Sequence, residues 1–258
     1  MLLERAGVAE PRLTAEVLLA HATGRERSYF FAHPERELRE VEWIHFGRYL
    51  DERMQGKPTQ YITGRQEFYG RDFRVTPDVL IPRPETELLV ETVLKARPAG
   101  GLVVDVGTGS GAIGATLARE GPYRVVGVDV SLAALRVAAH NAPEVALMAG
   151  DLLSAVATAS VDIVVSNPPY VSAGDAVGMQ REVRDWEPHL ALFAGERGLD
   201  VYERLIPEAR RVLRPGGLLA MEIGFGQAEA VCRLLEGWCG VTVRDDLAGI
   251  PRVVCCVP

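Results

Sequence analysis

The chain has 258 residues, 48% of them hydrophobic and 24% charged, which suits one large domain or a small one beside a medium one. A formal charge of −7 argues against sequence-independent binding to nucleic acid phosphates. The charge is uneven, since residues 1–98 carry 15 basic and 16 acidic side chains and the remainder 13 and 19.

The four cysteines (Cys232, Cys239, Cys255, Cys256) and five histidines show no metal-ligand spacing, so no metal site is expected. The cysteines read as reduced, buried thiols. No apolar run approaches membrane-spanning length and the first residues lack a signal-peptide core, so a cytoplasmic protein is expected.

In chain order, Ala15, Leu18, Leu19 and Ala22 recur at i, i+3, i+4, i+7, and Gly24 follows as a C-cap. Val41 to Met54 predicts a second helix, ended by Gly56-Lys57-Pro58. Together they make a small helical bundle. From Tyr61 to Val75 the pattern becomes Tyr61-Ile62, Glu67-Phe68-Tyr69-Gly70 and Asp72-Phe73-Arg74-Val75, a hairpin broken at a glycine. Ile81-Pro82-Arg83-Pro84 is a stiff extended loop, and Pro84-Glu85 opens a helix that runs to Arg97 with acidic residues at its positive end.

From Gly101 strands and helices alternate, the mark of a doubly wound α/β sheet. Strands are predicted at Leu102–Asp105, Arg124–Asp129, Val145–Met148, Asp162–Ser166, Gly217–Ile223, Val241–Asp245 and Arg252–Val257. Helices are predicted at Gly111–Arg119, Ser131–Asn141, Tyr202–Leu213 and Gln227–Trp238. Asp246 to Pro251 is too short for a parallel crossover, so the last strand should run antiparallel to its neighbour. The expected domains are a helical one at 1–60, a hairpin and linker at 61–84, and the α/β domain at 85–258.

Two stretches carry chemistry. Val104-Asp105-Val106-Gly107-Thr108-Gly109-Ser110-Gly111 joins a strand to a helix, where glycines let the backbone approach a ligand. Asp129 ends the next strand, placed to accept from ribose hydroxyls. Gly109, Gly111 and Gly114 also match the dinucleotide spacing, so glycines alone leave nicotinamide cofactor and S-adenosylmethionine both open. Asp105 would repel a pyrophosphate and suit a cationic ligand, and the reversed last strand departs from the dinucleotide pattern.

The second stretch is Val161 to Tyr170, a β-branched strand stopped by Asn167-Pro168-Pro169-Tyr170. Both prolines lack an N–H and hold the preceding residue extended, so the corner is stiff and rich in acceptors: the Asn167 side-chain oxygen and the Pro168 and Pro169 carbonyls. It suits a substrate –NH₂ with two donors, and Tyr170 offers a flat face beside it. Asn-Pro is also an ordinary turn dipeptide, and the corner alone fits either reading.

Asp105 to Gly111, Asp129, Gly150-Asp151 and Asn167-Pro168-Pro169-Tyr170, in this order, resemble class I S-adenosylmethionine-dependent methyltransferases acting on amino nitrogens. Gln60 to Gly64, Leu80 to Glu87, Glu187-Pro188, Gly198-Leu199-Asp200 and Glu222-Ile223-Gly224 narrow the resemblance to the release factor glutamine methyltransferase family, across essentially the whole chain. The resemblance implies a Rossmann-like seven-stranded sheet with an antiparallel last strand, and a helical domain that docks the protein substrate. It implies S-adenosylmethionine as cofactor, with S-adenosylhomocysteine as product. The acceptor it implies is the side-chain amide nitrogen of the glutamine in the Gly-Gly-Gln loop of peptide chain release factors.

Gly107, Thr108, Gly109, Ser110 and Gly111 would then line the methionine and ribose part of the cofactor, with Asp129 on the ribose and Asp151 and Leu152 by the adenine. Asn167 would touch cofactor and substrate. Arg83, Pro84 and Thr86 would wall the site. Asn167 and the Pro168 carbonyl would each accept one amide N–H and aim the nitrogen lone pair at the methyl group, with Pro169 and Tyr170 completing the substrate pocket. Trp186 and Glu187 read as surface residues beside a helix, and Glu222 as either a buried anchor or part of the site. The alternative substrate is an exocyclic amine of a nucleic acid base. A monomer without direct nucleic acid or membrane contact is expected.

Overall fold

A computed structural model describes residues 2–258. Five helices come first: α1 (Leu2–Arg5), α2 (Pro11–Thr23), α3 (Arg27–Ala32), α4 (Glu40–Met54) and α5 (Thr59–Thr63). A hairpin of β1 (Arg65–Phe68) and β2 (Arg71–Arg74) precedes α6 (Glu87–Ala96). Then come β3 (Gly101–Val106), α7 (Ala112–Glu120), β4 (Tyr123–Asp129), α8 (Leu132–Asn141), β5 (Ala146–Ala149) and β6 (Val161–Ser166). A short helix α9 (Arg181–Trp186) is followed by α10 (Asp200–Val212), β7 (Leu213–Glu222), α11 (Ala228–Leu234), β8 (Cys239–Asp245) and β9 (Pro251–Val257).

These elements form two compact units, one holding the chain up to Arg65 together with Met179–Trp186, the other Gln66–Gly178 and Glu187–Pro258. In the first, α2 begins with Pro11 at its first turn and closes on Gly24 in the left-handed region, burying Leu18 and Ala20. Two charged side chains of α4 are also buried. Glu42 accepts from the Arg36 guanidinium at 2.9 Å and from the Arg39 backbone N–H at 2.8 Å, and these contacts hold its carboxyl down at about 2. Arg53 pairs with Glu182 of α9 at 2.5 Å and donates to the Lys57 carbonyl at 3.2 Å. That pair helps to hold in this unit a partner 129 residues downstream of Arg53. Tyr61 and Ile62, expected to be extended, lie in α5 with both side chains buried. Burial inside the bundle outweighs the β preference of two residues.

In the second unit the hairpin is part of the core. Phe68 and Phe73 are buried, meet edge to face at 6.1 Å, and pack in one cluster with Leu89, Val90 and Ile113. Tyr69 and Gly70 both take positive φ, as a two-residue hairpin turn requires. The main sheet has the order β5-β4-β3-β6-β7-β9-β8. Strands β3 to β7 are parallel, and β9 runs antiparallel to both β7 and β8, as the short connection dictates. Val103, Val104, Ile163, Val164, Val165 and Leu219 are all within 2% of full burial, which is why β3, β6 and β7 read as unbroken apolar runs.

Strand β7 begins at Leu213, earlier than the predicted Gly217, with a register shift opposite Val161 and Ile163. Helix α11 stops at Leu234, and Trp238 instead fills the core beyond it. Of the four free thiols only Cys256 is buried; Cys239 at the start of an edge strand is exposed. Successive connections run outward in opposite directions from β3 and β6, so a crevice opens between their carboxyl ends.

Candidate active site

The corner after β6 sits in that crevice. Ser166 donates to the Val106 carbonyl at 2.7 Å and ties the ends of β6 and β3 together. Asn167 follows, and its side-chain N–H donates to Thr86 Oγ1 at 3.2 Å. Thr86 in turn donates to Glu222 Oε2 at 2.6 Å. Glu222 is 2% exposed at the end of β7, and burial pushes its carboxyl up to about 7 despite the Thr86 bond. It is therefore a buried anchor. The Tyr170 hydroxyl lies 3.5 Å from Glu222 Oε1, and its ring packs against the core cluster. The Tyr170 carbonyl accepts from Gln227 at 2.9 Å, and a Cβ at Gly198 would stand 2.3 Å from that carbonyl oxygen. Glycine is required there for the backbone to pass.

The glycine loop is fastened from both sides. Gly107, Gly109 and Gly111 all take positive φ, between 54 and 82°. Asp129 Oδ2 accepts from the Gly109 N–H at 2.9 Å and its Oδ1 from the Ser131 N–H at 2.8 Å. Asp105 corrects the expectation of a carboxylate facing a cationic ligand. It is fully buried, accepts from the Thr108 hydroxyl at 2.6 Å and the Gly114 N–H at 3.0 Å, and burial raises it to about 6. Its work is to brace the loop from behind.

A cavity of about 200 Å³ lies at these strand ends. Gly107, Gly109 and Asp129 form one wall, Asp151 and Leu152 a second, and Asn167 with Pro169 a third. Thr108, Ser110 and Gly111 are not part of the wall, because Thr108 is turned to Asp105 and Gly111 packs on Ala138 and Ala142. Pro168, Tyr170, Arg83 and Pro84 also lie outside it. Asp151 pairs with Arg204 at 2.6 Å, and Leu152 holds a left-handed φ of 50°, a backbone strain worth about 1–3 kcal/mol. Wall residues with no counterpart among the predicted site residues include Asp78–Leu80, Pro188 with Leu190 and Ala191, Val201 with Arg204, and Val130, Ser131 and Ala134 beside Asp129.

Glu187 was expected at the surface, yet it is buried. It accepts from the Ile81 N–H at 3.1 Å and from the Arg83 guanidinium. Arg83 is thereby committed to holding the proline-rich loop, whose start, Asp78–Leu80, lines the cavity. Among the described residues no group of His, Cys, Asp and Glu is arranged for a metal ion, and no helix is long and apolar enough to cross a membrane.

A family model described as the PrmC N-terminal domain matches residues 1–64, and one described as the methyltransferase small domain matches residues 84–183. The release factor glutamine methyltransferase of Koribacter versatilis is 49% identical over 260 residues, covering 98% of this chain and 93% of that protein. The release factor glutamine methyltransferase of Nitratidesulfovibrio vulgaris is 43% identical over 265 residues, covering 98% and 90%. Among solved structures, the hMettl16 catalytic domain in complex with an RNA hairpin aligns with a TM-score of 0.60 at 16% identity, over 81% of each chain. The T. thermophilus 16S rRNA N2 G1207 methyltransferase, in complex with AdoMet and guanosine, gives 0.56 at 23% identity, over 75% of this chain and 49% of that one. At such identities these two structures speak for the fold alone.

Proposed function

The chain belongs to the release factor glutamine methyltransferase family, and on that footing we propose that the corner after β6 receives a release-factor glutamine, that of the Gly-Gly-Gln loop, for methylation at its side-chain nitrogen. The enzyme is an S-adenosylmethionine-dependent methyltransferase. The observation that carries the reading is that one cavity gathers Asp129, the bare backbone of Gly107 and Gly109, and Asn167. Bound there, S-adenosylmethionine supplies an electrophilic methyl group. In this reading Asp129 would hold its ribose, the glycines would allow close backbone approach, and Leu152 would offer an apolar face to the adenine.

An amide nitrogen is a poor nucleophile because its lone pair is delocalised into the carbonyl. The chain's contribution is positioning: Asn167 Oδ1 in the cavity wall, and the carbonyl of Pro168 between the wall residues Asn167 and Pro169, would each accept one amide N–H. No carboxylate or histidine of the corner has to act as base, since the methylated amide is itself a strong acid. A base amine fits the same acceptors, but a net charge of −7 does not favour a nucleic acid substrate. The test is transfer of labelled methyl from the cofactor to purified release factor, with the labelled residue mapped by mass spectrometry. Label on any residue other than that glutamine refutes the assignment.

Asp129→Ala should weaken cofactor binding by about 1–3 kcal/mol. Calorimetry checks it, and unchanged affinity removes Asp129 from the ribose site. The helical unit is proposed to dock the release factor through α4, where Val41, Trp43 and Ile44 are each half-exposed or more. Trp43→Ser together with Ile44→Ser should raise KM for intact release factor about tenfold with kcat kept, an effect of about 1.4 kcal/mol. Steady-state kinetics read it, and an unchanged KM places docking elsewhere. Deleting the helices is a poorer test, because it strands Glu182, the partner of Arg53.

A further inference from the structure

We infer that Thr86 and Glu222 are positioning residues for the transfer, a hydroxyl–carboxylate pair that fixes which end of the Asn167 amide faces the substrate. The inference rests on the proposed function for its kinetic consequence and on the geometry alone for the rest. An asparagine side chain has an acceptor end and a donor end of nearly the same shape. Presenting the acceptor, Asn167 receives a substrate N–H. Presenting the donor, it sets its own NH₂ against the NH₂ of the substrate. Nothing in Asn167 itself or in the prolines after it chooses between the two.

The choice is made behind it. Thr86 carries one hydroxyl hydrogen and gives it to Glu222 Oε2 at 2.6 Å, an acceptor-only partner when ionised. Toward Asn167, 3.2 Å away, Thr86 can therefore only accept. The Asn167 NH₂ must face Thr86, and Oδ1 is left for the substrate. The inverted amide would bring two oxygens together with no hydrogen between them, in a site where Thr86 is 4% exposed and water cannot repair the contact. A merely structural reading is that Thr86 and Glu222 satisfy each other and join the turn before α6 to the end of β7. That reading predicts lost stability and no specific change in catalysis.

Glu222 is faced by Thr86 and by the Tyr170 hydroxyl. Arg252 on β9 favours its charge, Glu85 opposes it, and Tyr202 donates to its backbone carbonyl at 2.9 Å. Burial is the largest influence and places its titration near 7. Once protonated, Glu222 can donate to Thr86, whose hydrogen is then free to turn toward Asn167. The orientation is lost as pH falls, so kcat should have an acid limb that reports Glu222.

The first measurement needs no substrate. The side-chain NH₂ resonances of Asn167, identified by their loss in Asn167→Ala, should shift in Thr86→Val and hold in Thr86→Ser. Resonances that ignore Thr86→Val overturn the inference, whatever the enzyme methylates. In methyl transfer to release factor, Thr86→Val should lower kcat about 10- to 100-fold with KM nearly unchanged and the acid limb gone, while Thr86→Ser restores both. Glu222→Leu is close in size and offers Thr86 no acceptor, so the hydroxyl hydrogen is free to turn toward Asn167. It should reproduce the loss even if Thr86→Val folds poorly. In an Asn167→Ala background Thr86→Val should cost nothing further. Losses that multiply in the double variant, or a change in KM alone, overturn the inference. Shifted resonances in an enzyme that leaves release factor unlabelled would instead sink the proposed substrate and leave the positioning pair standing.

Discussion

Replacing Asn167 by alanine is expected to lower the single-turnover rate of methyl transfer about 10²-fold while leaving the fold and most of the cofactor affinity in place. Two losses combine. The substrate amide enters the corner with one N–H desolvated and unpaired, which costs about 1–3 kcal/mol. The nitrogen lone pair is also no longer aimed, and misplacement of this kind costs about 10²-fold in rate. The corner survives because Pro168 and Pro169 are untouched and Ser166 still holds β6 to β3. Asn167→Asp is informative beside it. A new carboxylate about 3.2 Å from Thr86 Oγ1 would compete with Glu222 for the single hydroxyl hydrogen, so the variant should be slow as well as acidic. Single-turnover methylation at saturating cofactor decides the matter. A rate within a few-fold of wild type would mean that the substrate amide is held by backbone alone.

The sheet was legible in the sequence because parallel strands buried on both faces leave an unmistakable trace. Val103–Val104 and Ile163–Val164–Val165 are β-branched runs with no polar face, and the reversed last strand followed from a connection too short to cross over. The stiff corner at Asn167 and the strand-end position of Asp129 in the cavity wall were legible for a related reason, since proline and strand-end carboxylates have few uses. Glu187 was not legible. A glutamate between tryptophan and proline looks solvated, and its partner Arg83 stands 104 residues earlier. Asp105 was found but misdirected: spacing placed it before the glycines, and only the Thr108 and Gly114 bonds show it turned into the protein. The five-residue helix at Tyr61 was lost to local preference, because what decides it is burial by neighbours far away in sequence.

The buried pair that sequence reading missed should show a marked asymmetry on mutation. Arg83→Met is expected to destabilise the enzyme by about 3 kcal/mol, and Glu187→Gln by about 1 kcal/mol. The difference comes from which charge is left behind. The Glu187 side chain is 1% exposed, so removing Arg83 takes the balancing cation from an anion held out of reach of water, with the Ile81 N–H at 3.1 Å among the donors that remain. Breaking a buried pair in that way costs about 3–5 kcal/mol, and the surviving backbone bond argues for the lower end. Arg83 by contrast keeps 31% of its side chain in water and can hydrate once Glu187 is made neutral, while glutamine still offers an oxygen to Ile81. The loss should reach the site, because Ile81 continues directly from Asp78–Leu80 in the cavity wall. Arg83→Met should therefore also weaken cofactor binding, and Glu187→Gln much less. Urea midpoints with calorimetry on the same two variants check both halves. Equal destabilisation, or a larger loss for Glu187→Gln, would mean that the loop is held by the burial of Val79 and Ile81 and that the ion pair only decorates it.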